Sequence, residues 1–259
     1  MPGTWQATTI NIDGDSKDWP SPYPNYDSKG KVGYATSNDA KFLYITVESG
    51  DELTQLKILK AGMTISIDTS GGKNPGFSIK YPLENENTEI EIPRPDNGSK
   101  DAAMHAAKQL TQNIRKAIEV TNQYSLQGFT GCDGGYMVPQ VPPCGIKVRM
   151  RLDEYKEIVW EAAIPVKLLY GKEKLTAEDA GRPISVCYAV NGVKKPKSEG
   201  SDNVNNNMGA DMNGTPGTQH NSAQRGTGGG RRPGIDNPME HLYTGTKTWK
   251  QFRLAAEPK

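Results

Sequence analysis

Three cysteines and three histidines in 259 residues leave little material for the commonest catalytic and metal centres. The histidines, His105, His220 and His241, stand far apart, and none has the His-x-x-x-His spacing that puts two imidazoles on one helix face. Gly226-Thr-Gly-Gly-Gly230 is Gly-rich, but it lacks the Gly-Lys-Ser/Thr ending and the strand-to-helix context of a phosphate loop, so it reads as flexible loop. An excess of one charge is also missing. Lysine and arginine number 31 against 30 aspartates and glutamates, a net of +1. That balance excludes the basic field of a dedicated nucleic-acid binder. No apolar run approaches the roughly twenty residues that span a bilayer. Carboxylates are plentiful, yet no pair stands out as a positioned acid and base, and the chain reads as non-catalytic.

What is present is a β pattern. Ile10-Asn-Ile-Asp-Gly-Asp-Ser-Lys-Asp-Trp-Pro20 reads as a strand, a tight acidic turn and an aromatic plug. Gly14 accepts the positive φ that a reversing backbone needs, and Trp19 is placed to close one end of a β-sandwich. Lys41-Phe-Leu-Tyr-Ile-Thr-Val-Glu48 and Met63-Thr-Ile-Ser-Ile-Asp68 alternate as half-buried strands do. Strands resume at Gly145-Ile-Lys-Val-Arg-Met-Arg-Leu152, which turns through Asp153-Glu-Tyr-Lys156 into Ile158-Val-Trp-Glu-Ala-Ala-Ile-Pro165. Ile184-Ser-Val-Cys-Tyr-Ala-Val-Asn191 and Trp249-Lys-Gln-Phe-Arg-Leu254 complete the set. The length suits one large β domain or two small ones, and the pattern is read as a single sandwich domain over residues 1–259.

Two segments interrupt it. Residues 84–144 read as a helical and loop insertion. Asp101–Thr121 has no Gly or Pro, and Ala103, Ala107, Leu110, Ile114, Ala117 and Ile118 recur at helical spacing. Ser99 and Asp101 are candidate caps. Cys132 and Cys144 flank a Gly/Pro-rich stretch that a disulfide would staple, whereas Cys187 sits inside an apolar strand as a small buried hydrophobe. Residues 194–238 are polar and Gly/Asn-rich, a long loop of the kind that is either functional or unstructured.

The order Ile-Asp-Gly-x-x-x-x-Asp-Trp, Leu-Tyr-Ile-x-Val, Ile-Ser-Ile-Asp and Glu-Ala-Ala-Ile resembles the family 9 carbohydrate-binding modules and their DOMON-like relatives, over roughly residues 10–83 and 145–255. The resemblance implies a mainly β, antiparallel two-sheet sandwich with one inserted helix, from a secreted or surface bacterial protein. It implies a non-catalytic, extracytoplasmic module with a glycan as ligand. Met1-Pro-Gly-Thr is an abrupt start without a signal peptide, and the expectation is that a native leader has been removed ahead of it. In that family two loop tryptophans sandwich the sugar. Here the first platform position, Gln55-Leu-Lys-Ile-Leu-Lys60, has no aromatic, and the second carries Tyr243, with Asn237 and Glu240 as neighbouring hydrogen-bonding groups. Trp19, Trp160 and Trp249 are read as core, and Tyr23, Tyr26 and Tyr34 are possible stand-in platforms. Asp13, Asp15 and Asp18 offer oxygens to a structural calcium, or fix the turn by bonding its backbone. Asp68 presents the same choice. Two other readings stand beside the glycan one. They are a structural or protein-interaction sandwich without sugar binding, and a haem- or redox-cofactor-binding domain as in some DOMON relatives, which would need an axial Met or His from the sheet.

Overall fold

The computed structural model describes residues 3–84, 90, 100–195 and 238–258. In chain order the strands and helices are β1 (Thr4–Trp5), β2 (Asn25–Asp27), β3 (Val32–Asn38), β4 (Phe42–Ser49), α1 (Glu52–Ala61), β5 (Met63–Asp68), β6 (Phe77–Lys80), α2 (Lys100–Val120), β7 (Gln123–Gln127), β8 (Gly134–Met137), β9 (Lys147–Leu152), β10 (Ile158–Pro165), α3 (Val166–Tyr170), β11 (Pro183–Val190), α4 (Pro238–Tyr243) and β12 (Thr246–Arg253). The strands form two sheets. The first runs β1-β3-β4-β10-β9, with β2 also on β3, and the second runs β12-β11-β5-β6-β7-β8. Every pairing is antiparallel except β1 with β3.

The main core lies between the sheets. Val32, Tyr34, Leu43, Ile45, Val47, Trp160 and Ile164 face it from the first sheet, and Ile65, Ile67, Ile79, Leu126, Val186 and Tyr188 from the second. Tyr34 and Tyr188 meet across the gap with ring centroids 4.2 Å apart. The Tyr188 hydroxyl hydrogen-bonds Thr36 Oγ1 at 2.6 Å. Trp160 has no exposed surface and donates its indole N–H to the Tyr81 carbonyl at 3.0 Å. Successive strand residues point to opposite faces, so Ala35, Tyr44 and Ala163 point away from this core. They form a second cluster with Ile10, Ile12 and Trp19. The N-terminal segment therefore covers the outer face of the first sheet.

Several expectations change. Residues 84–144 are not a helix and loop alone, because β7 and β8 lie inside that span and extend the second sheet beyond β6. α2 is the helix expected over 101–121, but only its later half is seated. Leu110, Ile114 and Ala117 are buried, whereas Met104 is 71% exposed and Ala107 is exposed too. It rests on β9 and α1. Ser99, one of its candidate caps, lies outside the described residues, as do His220 and most of the Gly/Asn-rich segment. α1 is a second substantial helix where a single inserted one is expected. The Asp51 carboxylate accepts the Thr54 N–H at 3.0 Å as its N-cap, and Gly62 closes it at φ +80°. No helix among the described residues is long and apolar enough to cross a membrane.

Candidate functional site

The acidic turn is built on a buried carboxylate. Glu161, on the outer face of β10, has no exposed surface. One of its oxygens accepts the Trp19 indole N–H at 2.6 Å. The other accepts the backbone N–H of Asp13 at 3.0 Å and of Gly14 at 2.6 Å. Burial pushes the Glu161 carboxyl up to about 7, against these donors, which favour the ionised form. Gly14 sits at φ +81° with its α-carbon against Arg151, where a Cβ would meet that side chain at 2.7 Å. Sequence and contact both demand glycine there.

The three aspartates proposed for calcium are engaged separately. Asp13 accepts the Asp15 N–H at 2.9 Å and the Asn11 amide at 2.7 Å. Asp15 accepts the Lys17 N–H at 3.1 Å and pairs with its ammonium at 3.0 Å. Asp18 accepts the Asn11 N–H at 3.0 Å. Asp68 likewise accepts Ser70 and Asn74 N–H groups. Among the described residues, the group whose ligating atoms lie within 4.8 Å of one another is a different one, Glu48, Asp153 and Glu157. It sits at the end of β4, β9 and β10. Burial, followed by Glu157 and Asp153, pushes Glu48 up to about 7, and burial raises Glu157. Asp153 Oδ1 accepts the Glu157 N–H at 2.8 Å, and its Oδ2 is buried without a partner. Beside it a polar groove of about 620 Å³ runs past Lys17, Arg115, Arg151, Glu154 and Tyr155.

Of the expected sugar site, Asn237 lies outside the described residues. Glu240 is exposed on α4, and its carbonyl accepts the Thr244 hydroxyl at 3.1 Å. Tyr243 ends the same helix, half-buried and packed against the main core, with the Lys195 ammonium 5.8 Å from its ring centroid. Tyr34 is fully buried and Tyr23 is bonded to Thr46 at 3.2 Å, so of the stand-ins only Tyr26, 66% exposed, is open.

The outer face of the second sheet differs from all of these. Register places Trp249, Cys187, Ser66, Ser78 and Gln127 in one row across β12, β11, β5, β6 and β7. The next row reads Lys247, Ala189, Thr64, Lys80, Ser125 and Gly135. Trp249 is half-buried and belongs to neither apolar cluster. It heads a five-strand row whose other members are a thiol, two hydroxyls and an amide. Cys187, opposite it, is 1% exposed, and burial pushes its thiol up to about 11. It is an inert residue rather than a nucleophile.

No protein-family model matches the chain, and no curated protein matches it in sequence. Two solved structures of a family 9 carbohydrate-binding module from Caldicellulosiruptor kristjanssonii are similar to it. The complex with glucose is 10% identical, with a TM-score of 0.32 over 74% of this chain and 78% of that one. The complex with cellotriose is 11% identical, with a TM-score of 0.32 over 74% of this chain and 76% of that one.

Trp249 is not a core residue as the sequence reading has it, and the signal for its true place was available. In Trp249-Lys-Gln-Phe252 the two aromatics stand three apart, so in a strand they face opposite sides. Phe252 is in the core. Glu161 was legible as part of Glu-Ala-Ala-Ile, but its three donors lie over 140 positions away in sequence and carry no local mark.

Proposed function

We propose that this chain is a non-catalytic glycan-binding module working outside the cytoplasm, and that sugar lies across the outer face of the second sheet. The observation that carries the reading is Trp249, outside both cores at the head of a row of small polar side chains. An indole presents a flat apolar surface to the C–H face of a sugar, while hydroxyls and amides such as Ser66, Ser78 and Gln127 bond its oxygens. Small side chains along the row let a chain of sugar rings approach the sheet. Binding is weak, because one stacking contact contributes about 1 kcal/mol beyond area burial and hydroxyls exchange water for protein at small net gain. Tyr243 is the lesser platform, since part of its ring is committed to the core. The pairing of Cys132 with Cys144, Cα atoms 6.0 Å apart, supports an oxidising compartment.

Calorimetric titration with neutral and acidic oligosaccharides tests this on the wild type, Trp249→Ala and Tyr243→Ala. The expected result is weak binding that Trp249→Ala abolishes and Tyr243→Ala leaves nearly intact. The reverse pattern moves the site to α4. No binding to any glycan replaces the reading with that of a protein-interaction sandwich.

A further inference from the structure

Resting on the glycan reading, we infer that the sugar taken by the second sheet is anionic, an oligosaccharide bearing carboxylates. The charges on that face decide it. Its charged residues are Lys80, Lys247, Arg253 and Asp68. Asp68 is turned into its own loop, where Ser70 and Asn74 hold its carboxyl below the usual range. The Arg253 guanidinium donates to the Gly181 carbonyl at 2.9 Å. Lys80 and Lys247 have no carboxylate within salt-bridge distance among the described residues. They share one row, with Ala189 and Thr64 between them. Three inter-strand steps separate their Cα atoms by about 14 Å. The Lys247 ammonium lies 5.8 Å from the Trp249 ring centroid. A sugar stacked on that ring therefore has a cation beside it, and a second cation waits further along the same row. A neutral chain leaves both ammonium groups facing its hydroxyls, whereas a uronate chain meets them with opposite charge.

The test uses the full chain and two probes, an oligogalacturonate and its fully methyl-esterified form, which keeps the sugar rings and removes the charge. Circular dichroism confirms that each variant is folded. The wild type is expected to bind the acid about fivefold more tightly than the ester at low salt, as two exposed ion pairs contribute. That preference falls as salt rises. The double variant Lys80→Gln/Lys247→Gln is expected to bind the two forms alike. Equal binding of both probes by the wild type overturns the charge inference and leaves the glycan reading standing, as does a preference that survives in the double variant. Failure to bind either probe, with neutral oligosaccharides also unbound, overturns both.

Discussion

The two sheets use their outer faces in opposite ways. In the first, β10 is buried along its whole length, because Ile10, Ile12 and Trp19 lie over Ala35, Tyr44 and Ala163. In the second, β7 and the first part of β5 alternate buried and more open positions, the central β11 is buried along most of its length, and no apolar cluster of the described residues covers the outer side. A sheet with both faces covered reads as a nearly continuous apolar run, and a sheet with one face open reads as alternation. Ile-Val-Trp-Glu-Ala-Ala-Ile-Pro in β10 and Met-Thr-Ile-Ser-Ile-Asp in β5 show the two patterns. Among the described residues, an apolar cluster covers the outer face of the first sheet and none covers that of the second.

The sharpest way to break this contrast is to put one residue on each outer face. Ala163→Lys forces a charged chain into the cluster under Trp19 and is expected to cost about 5 kcal/mol or to prevent folding. Ser66→Lys on the second sheet is expected to stay within about 0.5 kcal/mol of wild type. Urea denaturation measures both, and equal losses would remove the distinction. Next in size is Glu161→Ala, which strands two backbone N–H groups and an indole N–H, with an expected loss of about 4 kcal/mol. Glu161→Gln keeps an acceptor and should lose about half as much. Both are read from the same urea curves.

Much of this was readable in the chain and some was not. The turn at Gly14, strands β4, β5, β9, β10 and β11 and the later half of α2 follow from local pattern. α1 does not, because it is buried nearly all round. Gln55 and Lys57 are 2% and 4% exposed, so no polar stripe marks a solvent side. Gln55 is satisfied by the Ser49 and Lys156 carbonyls, partners visible only in three dimensions. Its capping Asp51 and closing Gly62 were the usable signs. β7 and β8 were hidden because short Gly- and Gln-containing strands look like loop until a neighbour supplies their hydrogen bonds. The expected site around Tyr243 rested on position in the chain, whereas the open face of the second sheet emerges only when register brings five strands together.

Two smaller effects concern the edges of the comparison. Replacing Cys132 and Cys144 by serine frees the segment leading out of β8, the last strand of the second sheet, and should lower stability by about 3 kcal/mol by chain entropy. Thiol counting on the denatured, unreduced protein should find one free thiol, Cys187. Finding three would refute the pairing. On the first sheet, the folded value of Glu48, about 7, lies above the ordinary 4.5. The folded state then keeps a proton that the unfolded chain has released. This stability is fully present below about pH 4.5 and is lost as pH rises through about 7. Glu161 adds in the same window and direction. The shift at Glu48 corresponds to about 1 kcal/mol once solvent screening of a partly exposed group is allowed for. Glu157→Gln removes its nearest like charge and should flatten the slope of stability against pH. An unchanged slope would show that the pair does not interact.

The central claim is that the open face of the second sheet, headed by Trp249, is the binding surface. Titration of a carboxylate-bearing oligosaccharide into wild type and Trp249→Ala, with both shown to be folded, tests it most directly. Measurable heat is expected for the wild type and none for the variant at the same concentrations. Undiminished binding by Trp249→Ala would contradict it.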